Sequence, residues 1–199
     1  MQPYLIGVAG PSGAGKSVFC KFIQANLKGV SRLKLDDFFK DIEDVPKIGN
    51  AVNWDHPDSI KWDKLISAVK SLKSNKYALV PNYSKKENRQ VGEKCVFPSN
   101  IILIDGYISL AVPELRELLD LKIYLNLSEH TLLKRRRERQ PDVVDEYLYN
   151  IMLPISRTYI VPSSIYADYV INAELSLQNV YSEGTGIIQN YYLKRCPVK

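Results

Sequence analysis

Near its start the chain carries Gly10-Pro11-Ser12-Gly13-Ala14-Gly15-Lys16-Ser17, which satisfies the spacing G-x-x-x-x-G-K-[ST]. Glycines at these positions let backbone N–H groups close around an anion that larger side chains would keep out. The helix expected to follow adds the positive end of its dipole. The chemistry this suits is the holding of a polyphosphate, ATP in the first instance. Lys16 would sit at the β- and γ-phosphates and the Ser17 hydroxyl at one Mg²⁺ position. Gly10, Ser12, Gly13, Ala14, Gly15, Lys16, Ser17 and Val18 are the expected ATP-binding residues. A second acid, Asp105, ends the aliphatic run Ile101-Ile102-Leu103-Ile104, where a carboxylate supporting Mg²⁺ is expected.

These residues need a scaffold, and the hydrophobic pattern supplies one. Strands are predicted at Tyr4–Val8, Ser31–Leu35, Tyr77–Val80, Ile101–Ile104, Leu121–Leu127 and Ala167–Ile171. Helical spacing covers Ser17–Leu27, a stretch from Asp58 or Ser59 to about Lys73, and the charged run from Ser128 or Glu129 to Arg139. It covers Val143–Ile160 as well, with Pro154 a kink or boundary, and part of Leu175–Arg195, interrupted near Gly184 and Gly186. The polar stretch Asn82–Pro98 reads as a loop or short hairpin. Strands alternating with helices imply an α/β fold of three layers, with a parallel sheet of about five strands. Ligands of such a sheet collect at the carboxyl ends of its strands, where the glycine loop, Asp36 and Asp105 all lie.

Composition narrows the classes. The chain has 199 residues, 45% hydrophobic and 25% charged, a length that suits one α/β domain spanning 1–199. No apolar run reaches the roughly 20 residues a membrane helix needs, and a cytoplasmic protein is expected. Three cysteines (Cys20, Cys95, Cys196) and two histidines give neither a disulfide framework nor a zinc site at plausible spacing. A net charge of +5 suits an anionic ligand, nucleotide or nucleic acid. The basic run Lys134–Arg139 lacks interleaved aromatics, so a nucleic-acid partner is not expected.

Three further segments resemble the uridine kinase family of P-loop kinases, which is itself similar to nicotinamide riboside kinases and phosphoribulokinases. They are Lys34-Leu35-Asp36-Asp37-Phe38-Phe39, Asn53-Trp54-Asp55-His56-Pro57-Asp58-Ser59 and Pro162-Ser163-Ser164-Ile165-Tyr166-Ala167-Asp168. The resemblance implies a P-loop kinase fold with a small lid near 135–142, and ATP with Mg²⁺ as donor and cofactor. It puts at Asp36 the carboxylate that faces the acceptor hydroxyl and helps hold Mg²⁺, with Asp37 the competing choice. Asp55 falls where the family binds ribose hydroxyls, and a carboxylate can accept from two vicinal hydroxyls. Arg136 and Arg139 match the two lid arginines that reach the transferring phosphoryl group. Arg137 would be solvated, while His56 and Asp58 would serve the loop and the helix start. Phe39, Trp54 and Tyr83 would give the acceptor flat apolar contacts.

The implied reaction is ATP-dependent phosphorylation of a ribonucleoside 5′-hydroxyl, with Lys16, Asp36, Arg136 and Arg139 as catalytic residues. Phe39, Asp55 and Tyr83 join Asp36 as substrate-binding residues, and Ser17, Asp36 and Asp105 form the metal set. Uridine or cytidine leads as acceptor, and nicotinamide riboside is the alternative. Uridine kinases usually follow Pro-x-Tyr with Asp and then a base-contacting His; here Ser84 replaces the Asp and the His has no counterpart. Looser base recognition is therefore expected. A reading of another class is a P-loop regulatory protein that binds nucleotide and has no small-molecule acceptor. Oligomeric state is not encoded in any of these features.

Overall fold

The computed structural model describes residues 2–195, so Cys196 lies outside the described residues. Its central sheet has five parallel strands in the order β2-β7-β1-β8-β9, where β1 is Tyr4–Ala9, β2 Val30–Lys34, β7 Ile101–Asp105, β8 Leu121–Asn126 and β9 Tyr169–Asn172. The chain moves from β1 to one side through β2 and β7, then to the other through β8 and β9. The strand order reverses at β1, which puts the mouth of the crevice at the loop that follows it. Val8 of β1 is in register with Asp105 of β7, so the glycine loop and the strand-end acid start side by side.

Both sheet faces are covered, as parallel strands require. Tyr4, Ile6 and Val8 point into one apolar cluster with Phe19, Cys20 and Ile23 of α1 (Lys16–Asn26), and with Val180 and Ile188 of α7 (Leu177–Arg195). Leu5 and Ala9 point into the other, with Leu65, Val69 and Leu72 of α2 (Trp62–Lys73) and Leu115 of α3 (Pro113–Arg116). Leu103 of β7 is fully buried, and its truncation to Ala would cost about 2–5 kcal/mol.

The differences from the sequence pattern have local causes. Tyr77–Val80 is part of a strand, β5 (Ala78–Ser84), but it pairs antiparallel with β6 (Arg89–Val96) and stands outside the parallel sheet. The polar stretch after Asn82 therefore forms a true hairpin arm. A second, two-residue pairing joins β3 (Lys47–Ile48) to β4 (Ala51–Val52). Helix α2 begins at Trp62 because Pro57–Ser59 makes a separate 3₁₀ turn, capped by the His56 Nδ1 accepting from the Asp58 N–H at 3.1 Å. Asp58 thus does not cap α2.

Pro154, which has no N–H to donate, does not end its helix. The segment runs from α5 (Asp145–Tyr147) through π turns at Leu148–Met152 and Ser156–Ile160 on either side of α6 (Leu153–Ile155). Gly184 and Gly186 do not interrupt α7 either. Gly184 is there for close packing: a Cβ on it would lie 2.2 Å from the Phe19 ring.

Candidate active site

At the end of β1 the chain must turn sharply, and Gly10 does so at φ 136, where any Cβ would meet the Leu125 carbonyl oxygen at 2.3 Å. Gly13 and Gly15 also have positive φ, at 80 and 83. The loop then opens directly into α1, the arrangement an anion needs. Lys16 Nζ donates to the carbonyls of Gly10 (2.7 Å) and Pro11 (2.8 Å), so the ammonium lies across the cradle. Burial pushes the Lys16 ammonium down to about 8, against the opposing pull of Asp105 and Asp36. Ser17 Oγ donates to Asp105 Oδ2 at 2.9 Å, joining the two expected metal-side oxygens.

A cavity of about 870 Å³ extends from this cradle. Ser12, Gly13, Gly15, Lys16, Ser17 and Val18 line it at the cradle, with Asp105, Arg136 and Arg139 in contact with them, and Asp36, Phe39, Asp55 and Tyr83 line the acceptor end. Two expected ATP-binding residues stay behind the wall: Ala14 is buried in the core, and Gly10 offers its carbonyl to Lys16. Asp36 and Asp37 separate cleanly. Asp36 lines the cavity and accepts from Lys85 Nζ at 2.5 Å, whereas Asp37 turns away to Lys94 of β6 at 2.7 Å.

The acceptor end has an aromatic wall. Phe39 meets Trp54 edge-on at 5.6 Å between centroids, and Tyr83 lies 5.8 Å from Phe39 and 6.4 Å from Trp54. The Tyr83 hydroxyl is buried without a hydrogen-bond partner among the described residues, and burial raises it to about 12, so it stays a neutral phenol. The hairpin that supplies Tyr83 is pinned by Asp41, whose Oδ1 accepts from the Gln90 N–H (3.0 Å) and Lys61 Nζ (3.3 Å). The Gln90 N–H is the main reason the Asp41 carboxyl titrates lower than usual.

The arginine run divides its work along the α4 (Glu129–Arg139) surface. Arg139 and Arg136 both reach Ser12 Oγ, at 3.0 and 3.4 Å, and so stand over the glycine loop. Burial, and then Arg136, lower the Arg139 guanidinium pKa, against the opposing pull of Asp36 and Asp55. Arg135 braces the loop by donating to the Gly13 and Ala173 carbonyls at 3.0 and 3.1 Å. Arg137 lies outside, paired with Asp145.

Five residues of the site were not singled out from the sequence. Arg32 of β2 pairs with Asp105, and a charged residue at the middle of a strand, between Val30 and Leu33, was the available signal. Tyr147 donates to Asp55 Oδ2 at 2.6 Å; burial and then Asp55 raise its pKa strongly. Tyr107, directly after Asp105-Gly106, lies within reach of the Trp54 and Asp55 carbonyls at 3.3 and 3.4 Å. Lys85 and Asn88 come from the hairpin turn, where Asn88 has φ 53. Nothing in the local sequence marks Tyr147, because its neighbour is made by tertiary packing.

Comparison with known proteins bears on this arrangement. The sequence profile of the Phosphoribulokinase / Uridine kinase family matches residues 5–176. The chain belongs to that family. It is 31% identical over 182 residues to the uridine kinase of Staphylococcus epidermidis, covering 85% of this chain and 87% of that protein. It is 30% identical over 182 residues to uridine-cytidine kinase A of Dictyostelium discoideum. That match covers 85% of this chain but 36% of the longer relative. A solved structure described as a possible uridine kinase from Bacillus stearothermophilus superposes with a TM-score of 0.60 at 20% identity, over 86% of this chain and 90% of the other. At that identity the likeness speaks for the fold, the α/β kinase fold expected from the sequence. The P-loop kinase class expected from the sequence is in line with that membership. Among the described residues, no helix is long and apolar enough to cross a membrane.

Proposed function

We propose that this protein is a ribonucleoside kinase that moves the γ-phosphoryl group of ATP to the acceptor's 5′-hydroxyl. One observation carries the reading: a single cavity joins the phosphate cradle to Asp36, Asp55 and three aromatic faces. A switch or regulatory protein has no need of that second compartment. Asp36 accepts the hydroxyl proton as the acceptor oxygen attacks phosphorus, and the bond to ADP breaks on the opposite side. Lys16 meets the phosphate oxygens, and Arg136 and Arg139 meet the charge spread over the transferring group. Asp55 receives ribose hydroxyls, exchanging the Tyr147 hydroxyl for one of the sugar's.

The residues present fit Mg²⁺, which keeps most of its shell for water and phosphate and takes few protein oxygens. Ser17 Oγ and Asp105 lie together at the cradle, and Asp36 lines the same cavity near Lys16. When bound, the ion supplies charge neutralisation between the phosphates. The segment 135–142 serves as the lid, excluding water that would compete with the acceptor.

The test is kcat/KM across uridine, cytidine, adenosine, guanosine and nicotinamide riboside, with a coupled ADP assay. Uridine or cytidine is expected to lead, with more than one ribonucleoside accepted. Nicotinamide riboside is the second candidate, because three aromatic faces suit a flat cationic ring. ADP release indifferent to every acceptor would defeat the proposal.

A further inference from the structure

Arg32 is the middle residue of β2, on a sheet face covered by an apolar layer, and its guanidinium side chain is only 7% exposed. It lies on the sheet face under α1, since its register partner is Leu103, whose side chain packs in that layer. From there it runs to the strand end and meets Asp105, itself 5% exposed. Arg32 Nε donates to Asp105 Oδ2 at 3.0 Å, and its terminal nitrogen forms an ion pair with the same oxygen. Ser17 Oγ donates there too. The other nearby cation, Lys16, directs its hydrogen bonds to the Gly10 and Pro11 carbonyls instead.

A buried carboxylate without a counter-charge is strongly unfavourable. At a phosphate-binding loop the obvious counter-charge is a divalent cation. Here the protein carries its own, a guanidinium directed at a single carboxylate oxygen. We propose that Arg32 is a resident counter-cation for Asp105. It occupies the carboxylate and keeps it aimed at Ser17 in the nucleotide-free protein, so that no free Mg²⁺ is retained there and the metal enters only with the nucleotide. Arg32 is thus a positioning residue: it acts through Asp105 and touches neither substrate. The proposal rests on the reading of Asp105 as the acid that supports Mg²⁺.

The experiment uses the nucleotide-free full chain, in wild-type form and as Arg32→Met, Arg32→Lys and Arg32→Met/Asp105→Asn. Its readouts are Tm with and without Mg²⁺, and Mn²⁺ binding followed by the spin signal of the free ion. Wild type should show no Tm response to about 10 mM Mg²⁺. Arg32→Met should lower Tm by about 6–15 °C, regain at least half of that on adding Mg²⁺, and bind Mn²⁺ at least about tenfold more tightly than wild type. Arg32→Lys should fall between the two. Adding Asp105→Asn should restore Tm without metal, by removing the stranded charge.

If Arg32→Met does not fold, the double variant still should, and its failure to do so would overturn the proposal. So would Arg32→Met with wild-type Tm, or wild type and Arg32→Met binding Mn²⁺ equally. An Asp105→Asn protein whose phosphoryl transfer keeps its Mg²⁺ dependence would sink the metal reading of Asp105 alone, because the pairing is scored by stability.

Discussion

The two ends of the cavity are built in different ways. At the phosphate end the polar groups are held by backbone and by one another: Lys16 by loop carbonyls, Ser17 and Arg32 by Asp105, Arg135 by the Gly13 carbonyl. At the acceptor end Asp36 and Lys85 form their ion pair with 43% and 72% of their side chains exposed, and the walls come from a hairpin and a loop. An exposed pair of this kind contributes about 0–1 kcal/mol. The donor site is therefore preorganised, while acceptor recognition draws on a more exposed part of the fold. Substitutions at the first end should damage chemistry for every acceptor, and substitutions at the second should sort acceptors from one another.

The sharpest version of that contrast is Lys16→Ala. It should lower kcat by about a thousandfold with all acceptors, with an unchanged far-UV spectrum showing that the fold persists. A loss confined to some acceptors would break the division. Asp36→Asn comes next. It should lower kcat by about a hundredfold or more, because an amide cannot take the hydroxyl proton. Asp37→Asn, which loses only the Lys94 contact, should leave kcat within about threefold. Equal losses in the two variants would mean that the cavity does not separate the aspartates as proposed.

How far the sequence carried follows the same divide. The glycine loop, Asp105 and the parallel strands were legible because they are local: a spacing rule, an aliphatic run and an alternation of elements each identify them. Arg32 was overlooked because its partner lies 73 positions away along the chain. Tyr147 and Tyr107 reach Asp55 and its backbone only after the helix at Asp145 and the turn after β7 fold over the loop. The strand at Tyr77–Val80 was recognised but its sheet was not, since alternation gives an element's type and not its pairing partner. Gly184 was misread because glycine's weak helix propensity was weighed without the Phe19 ring that requires it.

A smaller effect tests the electrostatics of the donor end. With the ammonium at about 8 in the free protein, Lys16 is charged at pH 7 and increasingly neutral above pH 8. A bound phosphate favours the charged form, so binding takes up a proton above pH 8 and affinity falls as pH rises. ADP binding should weaken by about twofold at pH 8 and tenfold at pH 9 relative to pH 7. The same shift bears on stability. The unfolded lysine keeps its ordinary pKa of 10.5, so between about 8 and 10.5 the unfolded chain holds more protons and this group makes the folded state more stable as pH rises. Titration calorimetry with ADP at the three pH values checks the affinity. Lys16→Arg, charged throughout, should flatten the profile, and an equally steep profile in that variant would assign the effect elsewhere.

The smallest effect belongs to the acceptor wall, where Tyr83 separates recognition from packing. Its ring contacts Phe39 and Trp54, while its hydroxyl is buried without a hydrogen-bond partner among the described residues. A hydroxyl in that position adds nothing to the free protein and is available to an acceptor ring that presents a polar edge. Tyr83→Phe keeps the ring and deletes the hydroxyl. Stability should therefore hold or rise slightly, because an unsatisfied polar group leaves a partly buried site. KM for acceptors with hydrogen-bonding base edges, such as uridine and cytidine, should rise by about fivefold, the equivalent of about 1 kcal/mol. KM for ATP should not change. Tyr83→Leu removes the aromatic face as well and should weaken all ribonucleosides further, by an amount that no longer depends on the polar edge. If Tyr83→Phe raised every KM equally, ATP included, the two ends of the cavity would be coupled through the hairpin, and the division drawn between them would have to be given up.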